Sequence, residues 1–217
     1  MRKGAAATTS QPSPAALLAA YESAAADGAT GVLSLHLDRR VSGVAASAEI
    51  AARDAPIPVV VVDPPTVSYG VALCVRAAHG ALAEGATSCQ AAVKATHVAT
   101  ALGNAFVVRA APGGRVPAAA DAWTLLRFAH GEAQILSRHD LPDAATTAMV
   151  HAIAGSGARS VAVGHAGREV EASADALAHE LLAEEHVGTV ERYRVTPSVG
   201  AHTGPDAYGA FWWPVGD

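Results

Sequence analysis

The run Ile-Pro-Val-Val-Val-Val-Asp at residues 57–63 constrains the fold of this chain more than any other segment. Four consecutive β-branched residues without alternating polar positions are typical of a strand whose two faces are both buried in a parallel sheet. A second candidate strand lies at 31–37, and Ala-rich segments predict helices at 43–53, 70–84 and 88–101. This strand-helix-strand order predicts an open, mainly parallel sheet, in which ligands bind beyond the carboxyl ends of the strands.

The second half of the chain has a different pattern, in which candidate strands alternate more evenly with candidate helices. The strands are predicted at 104–109, 133–138, 159–165, 188–195 and 207–213, and the helices at 117–128, 143–154 and 169–184. The strand at 188–195 is rich in charged residues, so one of its faces must contact water. We therefore predict an α/β fold of two α/β domains. They are an N-terminal parallel domain at 1–86, a connecting helix at 87–103, and a C-terminal domain at 104–217 with a mixed or antiparallel sheet and helices.

Composition excludes several classes of protein. Apolar residues make up 51% of the chain and charged residues 16%, which is incompatible with a disordered chain. The net charge of −5 offers no basic face to nucleic acid. No segment reaches the roughly 18 uninterrupted apolar residues that a membrane span needs, and the start lacks the apolar core of a secretory signal, so we expect a cytoplasmic protein. Cys74 and Cys89 lie in Ala-rich helical patterns and are expected to be buried, reduced thiols.

The residues that most often carry catalysis or bind metals do not form a recognised motif here. Of the ten histidines, His179 precedes Glu180, but the next histidine is His186, which is too distant for a zinc-binding H-E-x-x-H motif. Gly155-Ser156-Gly157 is not the nucleophile elbow of a hydrolase, and the glycine turns near 113 and 164 match no phosphate or dinucleotide loop. We therefore expect no metal and no cofactor.

Three loops carry small polar groups that suit an anion. The segment 8–13 places consecutive hydroxyls before a helix that begins near Pro14, and helix N-termini favour negative charge. Ser42 and Gly43 form the turn between a strand and the next helix. The segment 200–205, Gly-Ala-His-Thr-Gly-Pro, is predicted to be a tight loop between the last two strands. Each is explained by capping or turn formation alone, but together they offer hydroxyl, amide and imidazole donors to one small anion.

Five short sequence motifs in and around these regions resemble those of one protein family. They are Thr-Ser-Gln-Pro-Ser at 9–13, Ser-Gly at 42–43 before an Ala-rich helix, Val-Val-Asp at 61–63, Gly-Gly-Arg at 113–115 and His-Thr-Gly-Pro at 202–205. In type, order and spacing, over nearly the whole chain, the sequence resembles the DegV family, and the first and last strings are the specific ones. Members are bacterial fatty-acid-binding proteins with two α/β domains that bury an acyl chain between them.

The resemblance implies that this chain is a carrier rather than an enzyme. It would hold a long-chain fatty acid in a slot between the two domains and present the carboxylate to an ATP-dependent fatty-acid kinase subunit. A long apolar slot with a few fixed donors at one end suits this low-charge composition. The implied ligand-binding residues are Thr9, Ser42 and His202 at the carboxylate, with Ser10, Gly43 and Thr203 beside them, and Arg138 near the head group or the kinase surface.

The sequence also departs from the family. The opening strand with its Asp-Ser-Thr turn has no counterpart, so the first strand is expected to be missing. Asp38, Arg39 and Arg40 precede Ser42 where the family usually has a serine pair, and Asp206 stands where a glycine is usual. Two alternatives therefore stay open. One is a degenerate member that has lost the pocket, and the other is a small-molecule enzyme that uses His202 as a base.

Overall fold

The computed structural model describes residues 9–109, 116 and 121–214, and the chain divides into two compact units. The first unit is Ser10–Thr100; the second comprises Thr9 and the described residues from Ala101 onward. The helices are α1 (Pro14–Ala26), α2 (Val44–Ala52), α3 (Tyr69–Ala83), α4 (Ser88–Ala101), α5 (Pro142–Ala154), α6 (Glu171–Leu182) and α7 (Pro197–Thr203). The strands are β1 (Val32–Leu35), β2 (Val59–Val62), β3 (Gly103–Val108), β4 (Trp123–Ala129), β5 (Glu132–His139), β6 (Ser160–His165), β7 (Thr189–Arg194) and β8 (Tyr208–Trp213). The predicted α/β class with two α/β units is confirmed.

The first unit is built on the parallel pair that the valine run predicted. β1 and β2 pair in register from Val32 opposite Val59 to Leu35 opposite Val62. The valines of β2 are only half-buried, whereas the sequence predicted burial on both faces. Among the described residues β2 has a strand neighbour on one side only, so part of it stays exposed.

Alanine-rich helix packing completes this unit. Ala78 of α3 and Ala91, Ala95 and Ala99 of α4 form one buried cluster, against which leucines of β1 pack. The alanines at these positions supply the small buried side chains of this cluster. The segment predicted as a connecting helix thus forms α4, which shares this core.

The two cysteines differ in exposure, although both were predicted to be buried. Cys74 belongs to the alanine cluster, and burial raises the pKa of its thiol to about 11. Cys89 is exposed on the first turn of α4. The sequence pattern was wrong for Cys89 because an Ala-rich helix does not show from its sequence alone which face is buried.

The second unit contains a six-stranded mixed sheet in the order β5-β4-β3-β8-β6-β7. β6 and β7 are parallel, and the other neighbouring strands are antiparallel. Helices α5 and α6 pack on this sheet in a core that includes Met149, Ile153, Leu177 and Leu181. β7, the strand with many charges, lies at an edge, which agrees with the prediction that one of its faces contacts water.

Two predicted elements of the second unit were wrong. Within the predicted helix 117–128, residues 123–128 belong to strand β4, which pairs with β5 across a turn where His130 and Gly131 have φ of 55° and 85°. Two successive positive φ values are typical of the tight turn that joins antiparallel strands. The segment 200–205 is not a loop throughout: it includes the end of α7, which starts at Pro197 and stops before Gly204, whose φ is 85°.

None of the described helices is long and apolar enough to cross a membrane.

A buried histidine marks the carboxyl end of β6. His165 is 4% exposed, and its ring nitrogens lie 2.7 Å from Arg194 Nη1 and 3.1 Å from Arg192 Nη2. Burial lowers the pKa of His165, and the two guanidinium charges lower it further, against smaller opposing effects of Glu171 and Asp175. The imidazole is therefore held neutral in the folded protein.

We predict that the second unit loses stability as the pH falls below about 6.5, the ordinary pKa of histidine in an unfolded chain. The folded form binds fewer protons at His165 than the unfolded chain does, so its contribution is present above that pH and is lost as the pH falls toward the folded pKa. Urea unfolding at pH 7.5 and pH 5.5 checks this. His165→Gln should reduce the difference in stability between the two pH values. Part of the difference for the whole chain will remain from His36 in the first unit, whose pKa burial also lowers. An unchanged difference would contradict the prediction.

We also predict that Gly209→Ala destabilises the sheet. A Cβ atom at Gly209 would lie 2.3 Å from the Ala105 carbonyl oxygen of the neighbouring strand, and backbone cannot move as a side chain can. Overpacking of this kind costs about 1–3 kcal/mol of unfolding free energy. Gly80→Ala is the matched control: the site is in α3 with no neighbouring atom within 4 Å of the new Cβ, so a gain of about 0.5–1 kcal/mol is expected. Urea unfolding measures both changes.

Candidate functional site

The two most specific motifs of the sequence meet in the second unit. Thr9 Oγ1 lies 3.1 Å from His202 Nε2, although the two residues are 193 positions apart. His202 is in the last turn of α7, and Gly204 ends that helix. If Nε2 carries the proton and donates it to Thr9 Oγ1, the threonine hydroxyl remains free to donate to an anion. The structure therefore brings two of the predicted carboxylate-binding residues into direct contact.

Ser42 and Gly43 lie in the first unit, at the turn that opens α2. Ser42 Oγ accepts a hydrogen bond from Val44 N at 3.3 Å, which leaves the serine proton available to a ligand. The turn follows the carboxyl end of β1, where ligands of parallel sheets usually bind. A hydroxyl at the start of a helix, where the dipole is positive, is suited to bind an anion.

Asp38 organises this turn. Its carbonyl oxygen accepts from Val41 N at 3.0 Å and from Ser42 N at 3.3 Å. Its own N–H donates to the Thr66 carbonyl at 3.0 Å, which ties the turn to the segment after β2. The carboxylate, on a residue that is only 2% exposed, accepts from Arg40 N and from the Arg40 guanidinium. One residue thus fixes the backbone on both sides of the predicted Ser42 site.

A second ion-pair cluster joins the ends of β1 and β2. Arg39 donates to both carboxylate oxygens of Asp63, with Nε–Oδ2 at 2.5 Å and Nη2–Oδ1 at 2.8 Å, and to Glu49 at 2.8 Å. The hydrogen bond from Arg39 lowers the pKa of Asp63, and burial opposes this only in part. Asp63, the last residue of the Val-Val-Asp motif, is thus ionised and paired.

Gln11 explains why position 43 is glycine. A Cβ atom there would lie 2.3 Å from Gln11 Oε1, so the amide side chain lies directly against Gly43. Gln11 Nε2 also donates to Ser47 Oγ of α2 at 3.4 Å. The Thr-Ser-Gln-Pro-Ser string therefore packs on the start of α2 through its glutamine.

The remaining predicted ligand-binding residues do not take part in the Thr9–His202 contact. Ser10 is exposed, and the Thr203 hydroxyl donates within α7 to the Val199 carbonyl at 3.2 Å, so it is available only as an acceptor. Arg138 is exposed on the edge strand β5, at the same end of the sheet as the start of β8. Three strand spacings separate these strands, about 14 Å, so Arg138 belongs to this end of the sheet but not to the Thr9–His202 contact. The segment Gly113-Gly114-Arg115 lies outside the described residues.

Two residues that the sequence reasoning passed over have structural roles at these loops. In the sequence alone, Gln11 stands out only as one residue of a motif, and Asp38 only as a departure from the family pattern. The available signal was position: Gln11 lies within the most specific string, and Asp38 follows the carboxyl end of a parallel strand. Neither signal identifies the partner atoms, which come from other parts of the chain.

Comparison with known proteins identifies a family. A family model described as uncharacterised protein, DegV family, matches residues 1–215. A DegV domain-containing protein of Streptomyces coelicolor is 31% identical over 220 residues, covering 93% of this chain and 76% of the relative.

Solved structures agree with this identification. A DegV family protein from Thermus thermophilus, described for its fatty acid binding, is 26% identical with a TM-score of 0.84, over 96% of this chain and 79% of that one. The fatty acid kinase B3 protein of Streptococcus pneumoniae, solved loaded with linoleic acid, is 14% identical with a TM-score of 0.75, over 97% of this chain and 79% of that one. The second likeness is one of fold alone.

We predict that Gly43→Ala destabilises the first unit mainly through Gln11. The new methyl group displaces the Gln11 amide and weakens its bond to Ser47, for a loss of about 1 kcal/mol of unfolding free energy. In a Gln11→Ala background the displaced group is gone, so the cost of Gly43→Ala should fall by about 0.5–1 kcal/mol. Urea unfolding of the two single variants and the double variant measures this coupling. Strict additivity would show that Gln11 does not constrain position 43.

Proposed function

Because this chain belongs to the DegV family, we propose that it binds a long-chain fatty acid and presents the carboxylate to an ATP-dependent kinase partner. The observation that carries the proposal is the hydrogen bond between Thr9 and His202, which joins the two most specific motifs of the sequence. The fatty acid binding described for the Thermus thermophilus relative supports the same ligand class.

In the proposed site, Thr9, Ser42 and His202 hold the carboxylate. The Ser42 hydroxyl accepts from Val44 N, so its proton is available to donate to a ligand. Ser10 and Gly43 adjoin these residues and offer backbone N–H groups, and Thr203 lies next to His202. Neutral donors bind a carboxylate without a permanent salt bridge, and each hydrogen bond to a charged group contributes about 1.5–3 kcal/mol.

The proposed kinase step requires an accessible carboxylate oxygen. That oxygen attacks the γ-phosphorus of ATP, the bond from phosphorus to the β,γ-bridging oxygen breaks, and the products are an acyl phosphate and ADP. Such a transfer depends on positioning and charge stabilisation, which the kinase subunit with its bound ATP would supply. Arg138, exposed at the sheet end, is proposed to lie on the surface that meets this subunit. The carrier's contribution is to fix the acyl group with its head exposed.

The enzyme alternative lacks a supporting group. A histidine that acts as general base is usually oriented by a carboxylate. Within the described part of the chain, the side-chain hydrogen bond of the His202 ring is with the Thr9 hydroxyl and not with a carboxylate. The DegV relatives described by function are fatty acid binding proteins, which favours the carrier over the enzyme. The degenerate, non-binding alternative differs from the carrier in one observable property, the presence of lipid.

Native mass spectrometry of the protein as isolated from bacteria tests the proposal. The expected result is a population with an added mass of fatty-acid size, which denaturation releases as free fatty acid. Delipidated protein should regain this mass with oleate. Absence of lipid in both the isolated and the reloaded protein would favour the degenerate alternative.

We predict that Ser42→Ala weakens fatty acid binding by roughly 10- to 150-fold, the equivalent of losing one hydrogen bond of about 1.5–3 kcal/mol to a charged group. Ser13→Ala is the matched control. Ser13 Oγ accepts from Ala16 N at 3.2 Å and caps α1, so its loss should cost about 1 kcal/mol of stability and leave affinity unchanged. Titration with a fluorescent fatty acid measures both variants. Equal affinity of Ser42→Ala and the parent would remove Ser42 from the site.

A further inference from the structure

The Asp38–Arg40 ion pair lies immediately beside the proposed head-group site. Ser42 N donates to the carbonyl oxygen of Asp38 at 3.3 Å, so the Asp38 residue is in direct contact with the backbone of the serine. The Arg40 Nε lies 2.9 Å from Asp38 Oδ1 and 3.0 Å from Oδ2, and Arg40 Nη2 lies 2.5 Å from Oδ2. These are the positions at which the sequence departs from the serine pair usual in the family.

A buried carboxylate at this place is a problem for an anionic ligand. The Asp38 side chain is 3% exposed, so water screens its charge poorly. Burial by itself raises the pKa of Asp38, but the hydrogen bonds from Arg40 outweigh it, so the pKa lies below its ordinary value and the group is ionised. A neighbouring carboxylate would be repelled unless this charge is compensated.

Arg40 is the group that compensates it. The other arginine of the turn, Arg39, is already engaged by Asp63 and Glu49. Arg40 meets Asp38 with two nitrogens of its guanidinium and with its backbone N–H. The paired geometry resembles the bidentate arrangement in which arginine neutralises carboxylates most effectively.

We propose that Arg40 determines whether this site accepts an anionic head group, because it neutralises the buried Asp38 carboxylate beside Ser42. The inference rests on the proposed fatty acid binding and deepens it. Asp38 positions Ser42 through its backbone, and its side chain makes the site conditional on Arg40. Arg40 is thus a specificity-determining residue for the charge of the ligand, and not a residue that touches the acyl chain.

The test compares a charged and an uncharged ligand of the same chain length. Delipidated parent, Arg40→Gln, Arg40→Lys, Asp38→Asn and Asp38→Asn/Arg40→Gln proteins are titrated with oleate and with oleyl alcohol, followed by tryptophan fluorescence. Arg192→Gln is the control for removal of a paired arginine away from the proposed site: it breaks the Arg192 Nη1–Asp175 Oδ1 pair at 2.5 Å in the other unit, where the Asp175 side chain is exposed.

Arg40→Gln should weaken oleate binding tenfold or more and change oleyl alcohol binding by less than twofold. The double variant should return oleate affinity to within threefold of the parent, since neither charge remains. Asp38→Asn and Arg40→Lys, which avoid an uncompensated carboxylate, should stay within threefold of the parent or bind oleate more tightly. Arg192→Gln should change neither affinity.

Several results would overturn the inference. One is an unchanged oleate affinity in Arg40→Gln, and another is an equal loss for both ligands, which would indicate damage to the turn rather than charge. If Arg40→Gln does not fold, a tenfold loss of oleate binding in Asp38→Asn would overturn it instead. A parent protein that binds neither ligand would refute the proposed function itself, whereas a parent that binds oleate with no effect of Arg40→Gln refutes only the role of Arg40.

Discussion

Strand β8 is the element on which the second unit depends. It hydrogen-bonds to β3 on one side and to β6 on the other, so it joins the hairpin half of the sheet to the parallel half. Its approach to β3 leaves no room for a side chain at Gly209, where a Cβ would meet backbone atoms. Because only residues 204–207 separate α7 from β8, the pairing of this strand also limits where His202 can lie.

The first unit has a concentration of charged side chains at the end of its short parallel sheet. Five acidic and basic side chains meet there: Asp38, Arg39, Arg40, Glu49 and Asp63. They form two ion-pair clusters instead of one because the adjacent arginines pair with different carboxylates. Exposed ion pairs contribute little to stability, but a buried carboxylate without its partner is strongly unfavourable. The pairing of Asp38 with Arg40 therefore adds little stability of its own, and its main effect is to avoid an unpaired buried carboxylate.

Membership of the DegV family relates these features to one proposed ligand, a fatty acid carboxylate. In the proposed site, hydroxyl and imidazole donors would suit a carboxylate that later reacts, since a fixed salt bridge would compete with the proposed phosphoryl transfer. The departures at positions 38–40 do not remove such donors. They place the Asp38–Arg40 ion pair next to the backbone of Ser42, so we infer that the charge balance of this turn affects the proposed site.

The sequence by itself determined the parallel strand pair, the strand at 188–195 with one face in contact with water, the family and the motifs that carry the polar groups. These follow from local patterns, because β-branched runs, capping residues and specific strings are properties of neighbouring residues. Only the tertiary structure decided that 123–129 is a strand, that 197–203 is a helix, that Gln11 lies on Gly43 and that Arg40 pairs with Asp38 while Arg39 pairs with Asp63. Strand β4 and the contact of Gln11 with Gly43 depend on segments that are distant in the sequence. The arginine pairing depends on a choice between two acidic partners. Packing in the folded protein settles both, whereas local periodicity does not.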